Sequence, residues 1–170
     1  MGVPPIFQIN THVEPMIIRV CGRASYLNSM PLGDLFKWMF SSGSSRCIID
    51  FEVCTGIDST FLGILAGLAL ELRRQNRLSD CQLCNLNERN YELIQNMGLD
   101  RIFKVSRETL IKGNDSDWVH VSGLENQRPT KEMILKAHEN LLAINGSNKN
   151  KFEDVITFLQ RQNGSLNKIR

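Results

Sequence analysis

The stretch CIIDFEVCTGIDSTFLGILAGLALELRRQNR, residues 47–77, decides the fold. Cys47, Ile48 and Ile49 are consecutive apolar residues, which predicts a strand covered on both faces, spanning RCIIDFEVC. TGIDS then reads as a turn. From about Ser59 to Arg77 the apolar positions recur at helical spacing: Phe61, Leu62, Leu65, Leu68, Ala69 and Leu72 form a broad face. Arg73, Arg74 and Arg77 fall in the last turns, where cations suit the negative end of a helix. Asp58, Ser59 and Thr60 therefore sit at the seam between a buried strand and a buried helix. Helix capping alone accounts for such residues, because a side-chain oxygen there satisfies an orphan backbone N–H, worth about 1 kcal/mol. On the residues alone capping is the simpler reading, and a regulated phosphate site is the alternative.

The same pattern extends on both sides. IFQI and MIIRVCG predict two strands joined by NTHVEP as a hairpin. NSMPLGDLFKWMFSSGSS predicts a helix with Ser29 as cap, Pro31 in the first turn and Trp38 in its core. After the long helix, CQLCNL is a strand. NERNYELIQNMG is a helix with Asn87 as cap and Gly98 just past its end, and RIFKV is a closing strand. The order β-β-α-β-α-β-α-β argues an α/β fold with a mixed, largely parallel sheet, right-handed crossovers and helices packed on it. In such sheets, sites gather at strand-to-helix turns, and TGIDST lies at one.

Beyond residue 105 the chain changes character. A polar, turn-rich segment containing Trp118 leads to TKEMILKAHENLLAI, with Ile134, Ala137, His138 and Leu141 on one stripe. KFEDVITFLQRQ follows, with Phe152, Val155, Ile156 and Leu159 on one face. The expected division is residues 1–105 as the α/β domain and 106–170 as a linker with a C-terminal helical extension. That extension could cover a site, mediate homodimerisation or enlarge the core; its sequence does not choose.

Several function classes recede. The chain has 170 residues and a net charge of +2, with ten basic and ten acidic residues up to Val105 and ten and eight beyond it. Neither part is a basic footprint for nucleic acid. No apolar run approaches the roughly 20 residues of a membrane span. The N-terminal residues lack the basic head and apolar stretch of a signal peptide, so a cytoplasmic location is expected. Five cysteines, an odd number and mostly inside apolar runs, read as reduced buried thiols. Cys81 and Cys84 lie in a strand pattern with no second such pair, against a metal or redox site. His12, His120 and His138 are scattered and read as ordinary side chains. Ser59 lacks the Gly-x-Ser-x-Gly elbow, and a serine enzyme would need a histidine that no neighbouring position supplies.

GIDSTFLGILAGLAL, the strand CQLCNL and the helix in NERNYELIQNMGLDRIFKV together resemble the STAS family, the anti-sigma factor antagonist-like domains. Asp58, Ser59, Thr60, Leu62 and Gly63 match its first motif, and Gly98, Leu99, Ile102 and Phe103 its second. VCGRASYLNS resembles its turn after the second strand. The resemblance covers residues 6 to 105 and implies a non-enzymatic partner-switching protein without cofactor or metal. Ser59, with Thr60 as a second acceptor, would be phosphorylated by a histidine-kinase-like ATPase acting as serine kinase and anti-sigma factor. A PP2C-type phosphatase would reverse this. Gly22, Arg23, Ala24, Asp58, Ser59, Thr60, Phe61 and Leu62 would form the partner-binding surface. The same resemblance allows a STAS subunit of a lipid-transport complex that braces an ATPase without phosphorylation. Phe61 departs from the family's small glycine. Its ring lies on the helix's apolar stripe, as a core residue would, or else anchors a partner.

Overall fold

The computed structural model describes residues 6–43, 46–109, 111, 113–121 and 128–166. A six-stranded mixed sheet runs in the order β7-β6-β4-β2-β1-β8. Its strands are β1 (Phe7–Asn10), β2 (Met16–Val20), β4 (Cys47–Asp50), β6 (Cys81–Cys84), β7 (Lys104–Ser106) and β8 (Val119–His120). β2, β4, β6 and β7 are parallel neighbours, whereas β1 pairs antiparallel with β2 and with β8. The mixed, largely parallel sheet matches the reading of the apolar runs. Among the five α-helices of the described residues, α1 (Met30–Ser41), α2 (Ser59–Arg74) and α3 (Glu88–Asn96) begin where the periodicity places them, α2 ending at Arg74 and not at Arg77. Asn87 caps α3, its Oδ1 accepting from Asn90 N at 2.8 Å, and Gly98 adopts φ 78° just beyond it.

Three strands went unread. RCIIDFEVC is not one strand: β4 ends at Asp50, residues 51–53 turn, and β5 (Cys54–Ile57) begins. β5 pairs in parallel with β3 (Gly22–Ala24) as a separate two-stranded sheet. β8 comes from the segment expected to be a linker. Two side chains also differ from expectation. Trp38 is 49% exposed rather than in the core of α1, and Val155 is exposed on α5 (Lys149–Leu166).

Asp50 ends β4 wholly buried. Its carboxylate accepts from Arg19 Nε at 2.9 Å, Asn85 Nδ2 at 2.8 Å and Glu52 N at 3.1 Å. Trp118 stacks on the Arg19 guanidinium at 4.1 Å, so the appendage does make a contact through this residue. The paired charge and its hydrogen bonds offset the desolvation that an isolated buried carboxylate would suffer.

α2 is buried on more than one side. Phe61, 0% exposed, faces the sheet, stacked on Phe7 with ring centroids 6.5 Å apart and edge-on to Phe51 at 6.0 Å. Its opposite side receives α4 (Lys131–Ile144), which buries Ala137, His138 and Leu141. A helix apolar around most of its circumference needs two covered sides, and the extension supplies the second. α5 packs back on α4 and buries Phe152, Ile156 and Leu159.

Candidate functional site

Asp58 organises the seam. It is the N-cap of α2 in extended conformation, and its Oδ1 accepts from Phe61 N at 2.9 Å. Its Oδ2 accepts from Tyr26 N at 2.7 Å, and its own N–H donates to Ala24 O at 3.1 Å. The cap oxygen therefore belongs to Asp58, and Ser59 is the first helical residue. The same carboxylate ties the β3–α1 connection to the start of α2. The β3/β5 pairing sets Gly22 beside Cys54, Arg23 beside Gly56 and Ala24 beside Ile57, so β3 runs along the strand that leads to Asp58 and Ser59.

Ser59 is half-buried. Its Oγ lies 3.1 Å from His138 Nε2, and His138 Nδ1 lies 2.7 Å from Ile134 O. A carbonyl only accepts, so Nδ1–H donates to Ile134 O, and in the tautomer with its single proton there Nε2 is the acceptor. The Ser59 hydroxyl therefore donates to His138. The imidazole is 4% exposed and edge-on to Phe152 at 5.1 Å. Below this bond the two helices nearly touch. An ideal Cβ on Gly63 would lie 2.6 Å from Ala137 Cβ, and closer still to that residue's carbonyl group. Asn140 Nδ2 donates to Gly63 O at 3.3 Å and packs over Gly67. At Gly63 only glycine permits such an approach, because a side chain there would meet the backbone of α4, whereas at Gly67 it would meet only the movable Asn140 amide.

The expected site residues divide into two groups. Gly22 (φ 73°) and Asp58 are half-buried like Ser59, and Arg23 is exposed. Ala24 and Phe61 are 0% exposed, Leu62 1% and Thr60 7%. Ala24, Phe61 and Leu62 are core and Thr60 is buried at the edge of the cleft between α1, α2 and α4, so their expected place on a docking surface is corrected. Phe61 is core and not an anchor, and Thr60 offers no reachable second hydroxyl in this conformation. Beside Asp58 the large exposed apolar side chains are instead Tyr26 and Leu27.

His138 is the residue that sequence reasoning passed over. It lies 79 positions from Ser59. The available signal was a polar residue within the apolar stripe Ile134, Ala137, His138 and Leu141. A cleft of about 810 Å³ runs between α1, α2 and α4 and is lined by Thr60, Ile64, Phe40 and Met133 among others, but not by Ser59. The Ser59–His138 pair thus has the atoms of a nucleophile and base without opening onto that cleft.

The family model described as STAS domain matches residues 7–109. Among solved structures, the anti-sigma factor antagonist SpoIIAA in its unphosphorylated form is similar with a TM-score of 0.50 and 17% identity, covering 61% of this chain and 89% of that one. SpoIIAA of Bacillus in the phosphorylated form has a TM-score of 0.48 and 20% identity, covering 58% and 89%. No curated protein matches. At these identities the likeness concerns the fold.

Proposed function

The chain belongs to the STAS domain family, and on that premise we propose that it is an anti-sigma factor antagonist acting by partner switching in the cytoplasm. Unphosphorylated, it binds a histidine-kinase-like ATPase that serves as serine kinase and anti-sigma factor, so that the sigma factor is freed. Phosphorylation at Ser59 releases the ATPase, and a PP2C-type phosphatase restores binding. The protein is a substrate of enzymes and not itself one.

The observation that carries this reading is the position of Ser59 as first residue of α2, half-buried, with Asp58 already acting as cap. The hydroxyl is not needed to start the helix, so its modification leaves the cap in place. The first N–H groups of a helix have no intrahelical partner and, with the helix dipole, receive an anion well. A phosphate of about −1.5 to −2 charge is thus borne by the domain. At a docked interface the same charge must be desolvated, and a loss of ~2–3 kcal/mol weakens a complex some thirty- to hundredfold.

The test is the affinity of the purified ATPase for Ser59→Ala and Ser59→Asp chains. The alanine chain should bind like wild type and the aspartate chain about thirtyfold more weakly; equal affinities end this mechanism. Mass spectrometry of residues 55–71 from cells should show the added phosphate. A second reading, a subunit bracing a transport ATPase without phosphorylation, draws on the Ser59–His138 bond, which already engages the hydroxyl. Absence of that phosphate under every growth condition, with the ATPase still bound, would favour it.

A further inference from the structure

We propose that the α4–α5 pair is a displaceable cover of Ser59, an internal competitor for the surface the ATPase uses, so that docked α4 and phosphorylated Ser59 exclude each other. This rests on Ser59 being the phosphoacceptor. Ser59, Gly63 and Gly67 stand at i, i+4 and i+8, one stripe along α2. α4 touches all three: His138 at the hydroxyl, Ala137 on Gly63, and Asn140 on Gly63 O and over Gly67. A partner approaching Ser59 along this stripe meets α4 first.

The chemistry at the hydroxyl gives the exclusion its sign. When the kinase acts, a bond forms between Ser59 Oγ and the γ-phosphorus of ATP. The bond from that phosphorus to the bridging oxygen breaks, ADP leaves, and the hydroxyl proton passes to solvent. Oγ then carries phosphorus in place of the proton it offered to His138 Nε2, so the 3.1 Å hydrogen bond that ties α4 to Ser59 is lost. Three added oxygens must also be placed beside His138 and Ala137, which are 4% and 3% exposed where they meet α2. Modification therefore drives α4 off, and by thermodynamic reciprocity docked α4 opposes modification.

The cover is built to leave. The STAS match ends at residue 109, before α4 and α5 begin. On its α1 side α4 does not close against the domain but borders the 810 Å³ cleft. Its departure uncovers the glycine stripe of α2 next to Tyr26 and Leu27, which are already exposed at the same end. A partner seated there on the unmodified chain gains the apolar face that α4 now occupies, whereas on the modified chain the phosphate charge at Ser59 opposes that seating.

Hydrogen exchange on the full chain tests the exclusion without any partner. Ser59→Asp should speed exchange of the amides in residues 131–144 tenfold or more and leave those of β2 and β4 unchanged. Ser59→Ala, which removes the bond but brings no charge, should have a smaller effect. Unaltered α4 exchange in Ser59→Asp overturns the cover. Phosphate incorporation by the ATPase from labelled ATP supplies the second arm. Gly63→Ala, which cannot seat α4, should be modified about tenfold faster than wild type, and equal rates overturn the cover. Incorporation into neither chain overturns the phosphoacceptor reading instead, and the exchange result then decides the cover by itself.

Discussion

Replacing Gly63 by alanine adds one methyl group where two helices come closest. The new Cβ would lie 2.6 Å from Ala137 Cβ, whereas carbon atoms rest about 3.5–4.0 Å apart. α4 must therefore retreat by about 1 Å, a gap that forfeits roughly a quarter to a half of the dispersion energy of each contacting pair. Overpacking of this kind costs about 1–3 kcal/mol. The same retreat carries the Ser59–His138 pair from 3.1 Å out of hydrogen-bond range, about 1 kcal/mol more. Together these oppose α4 docking by ~2–4 kcal/mol, some thirty- to thousandfold in its opening equilibrium. Within α2 the substitution acts the other way, since alanine is the better helix former by about 1 kcal/mol. The two effects have opposite signs and fall on different parts of the molecule. Native-state hydrogen exchange resolved along the chain, with urea unfolding beside it, reads both. The amides of α4 and α5 should exchange at least thirtyfold faster, while those of β2 and β4 slow or stay as they are. Uniform acceleration across sheet and helices would refute the reasoning, because α4 would then belong to the same cooperative unit as the core. Gly67→Ala is the internal control: it meets only the movable Asn140 amide, at 2.8 Å, and should be near neutral.

Three further predictions concern the frame around the site. Asp58→Ala removes the acceptor for both Phe61 N and Tyr26 N and should lower stability by about 2 kcal/mol in urea; Asp58→Asn keeps a capping oxygen and should lose less than half of that. Equal losses would mean that the cap is not the source. Arg19→Met leaves Asp50, 0% exposed, as an unpaired buried charge and should cost about 3–5 kcal/mol, with Asp50→Asn in the same chain recovering a substantial part; no recovery in urea midpoints would contradict the pairing. Burial pushes the thiol of Cys54 up to about 11 and, with the Asp50 charge adding to it, that of Cys84 up to about 12, against 9.0 for a free thiol. The unfolded chain thus releases these protons first, so the stabilisation is complete below pH 9 and falls as pH rises toward 11–12. Replacing both residues by alanine should flatten the urea midpoint between pH 9 and 10.5, and an unchanged slope would assign it to other groups.

The local grammar of this protein is legible along the chain. Consecutive apolar residues mark β4 as a strand covered on both faces, short apolar segments mark β2 and β6 as strands, helical spacing marks the helices, and Asn87 and Gly98 bracket α3, because each of these signals acts within a few residues. The short strands β3 and β5 are not legible: three or four residues pair there only because each finds the other, and TGI reads equally well as a turn. Asp50 looks like a solvated strand end until Arg19 and Asn85 arrive from other elements to satisfy it. The site shows the same division. Asp58 announces a helix start by its own chemistry, and Ser59 stands beside it as the hydroxyl we propose is modified. That the hydroxyl is engaged by His138, that Gly63 and Gly67 are the floor for a second helix, and that Phe61 and Leu62 are core all depend on where α4 lies. An apolar stripe says that a helix will be buried, but its docking partner and angle are set by steric fit between surfaces far apart in sequence, and only the folded chain brings those surfaces together.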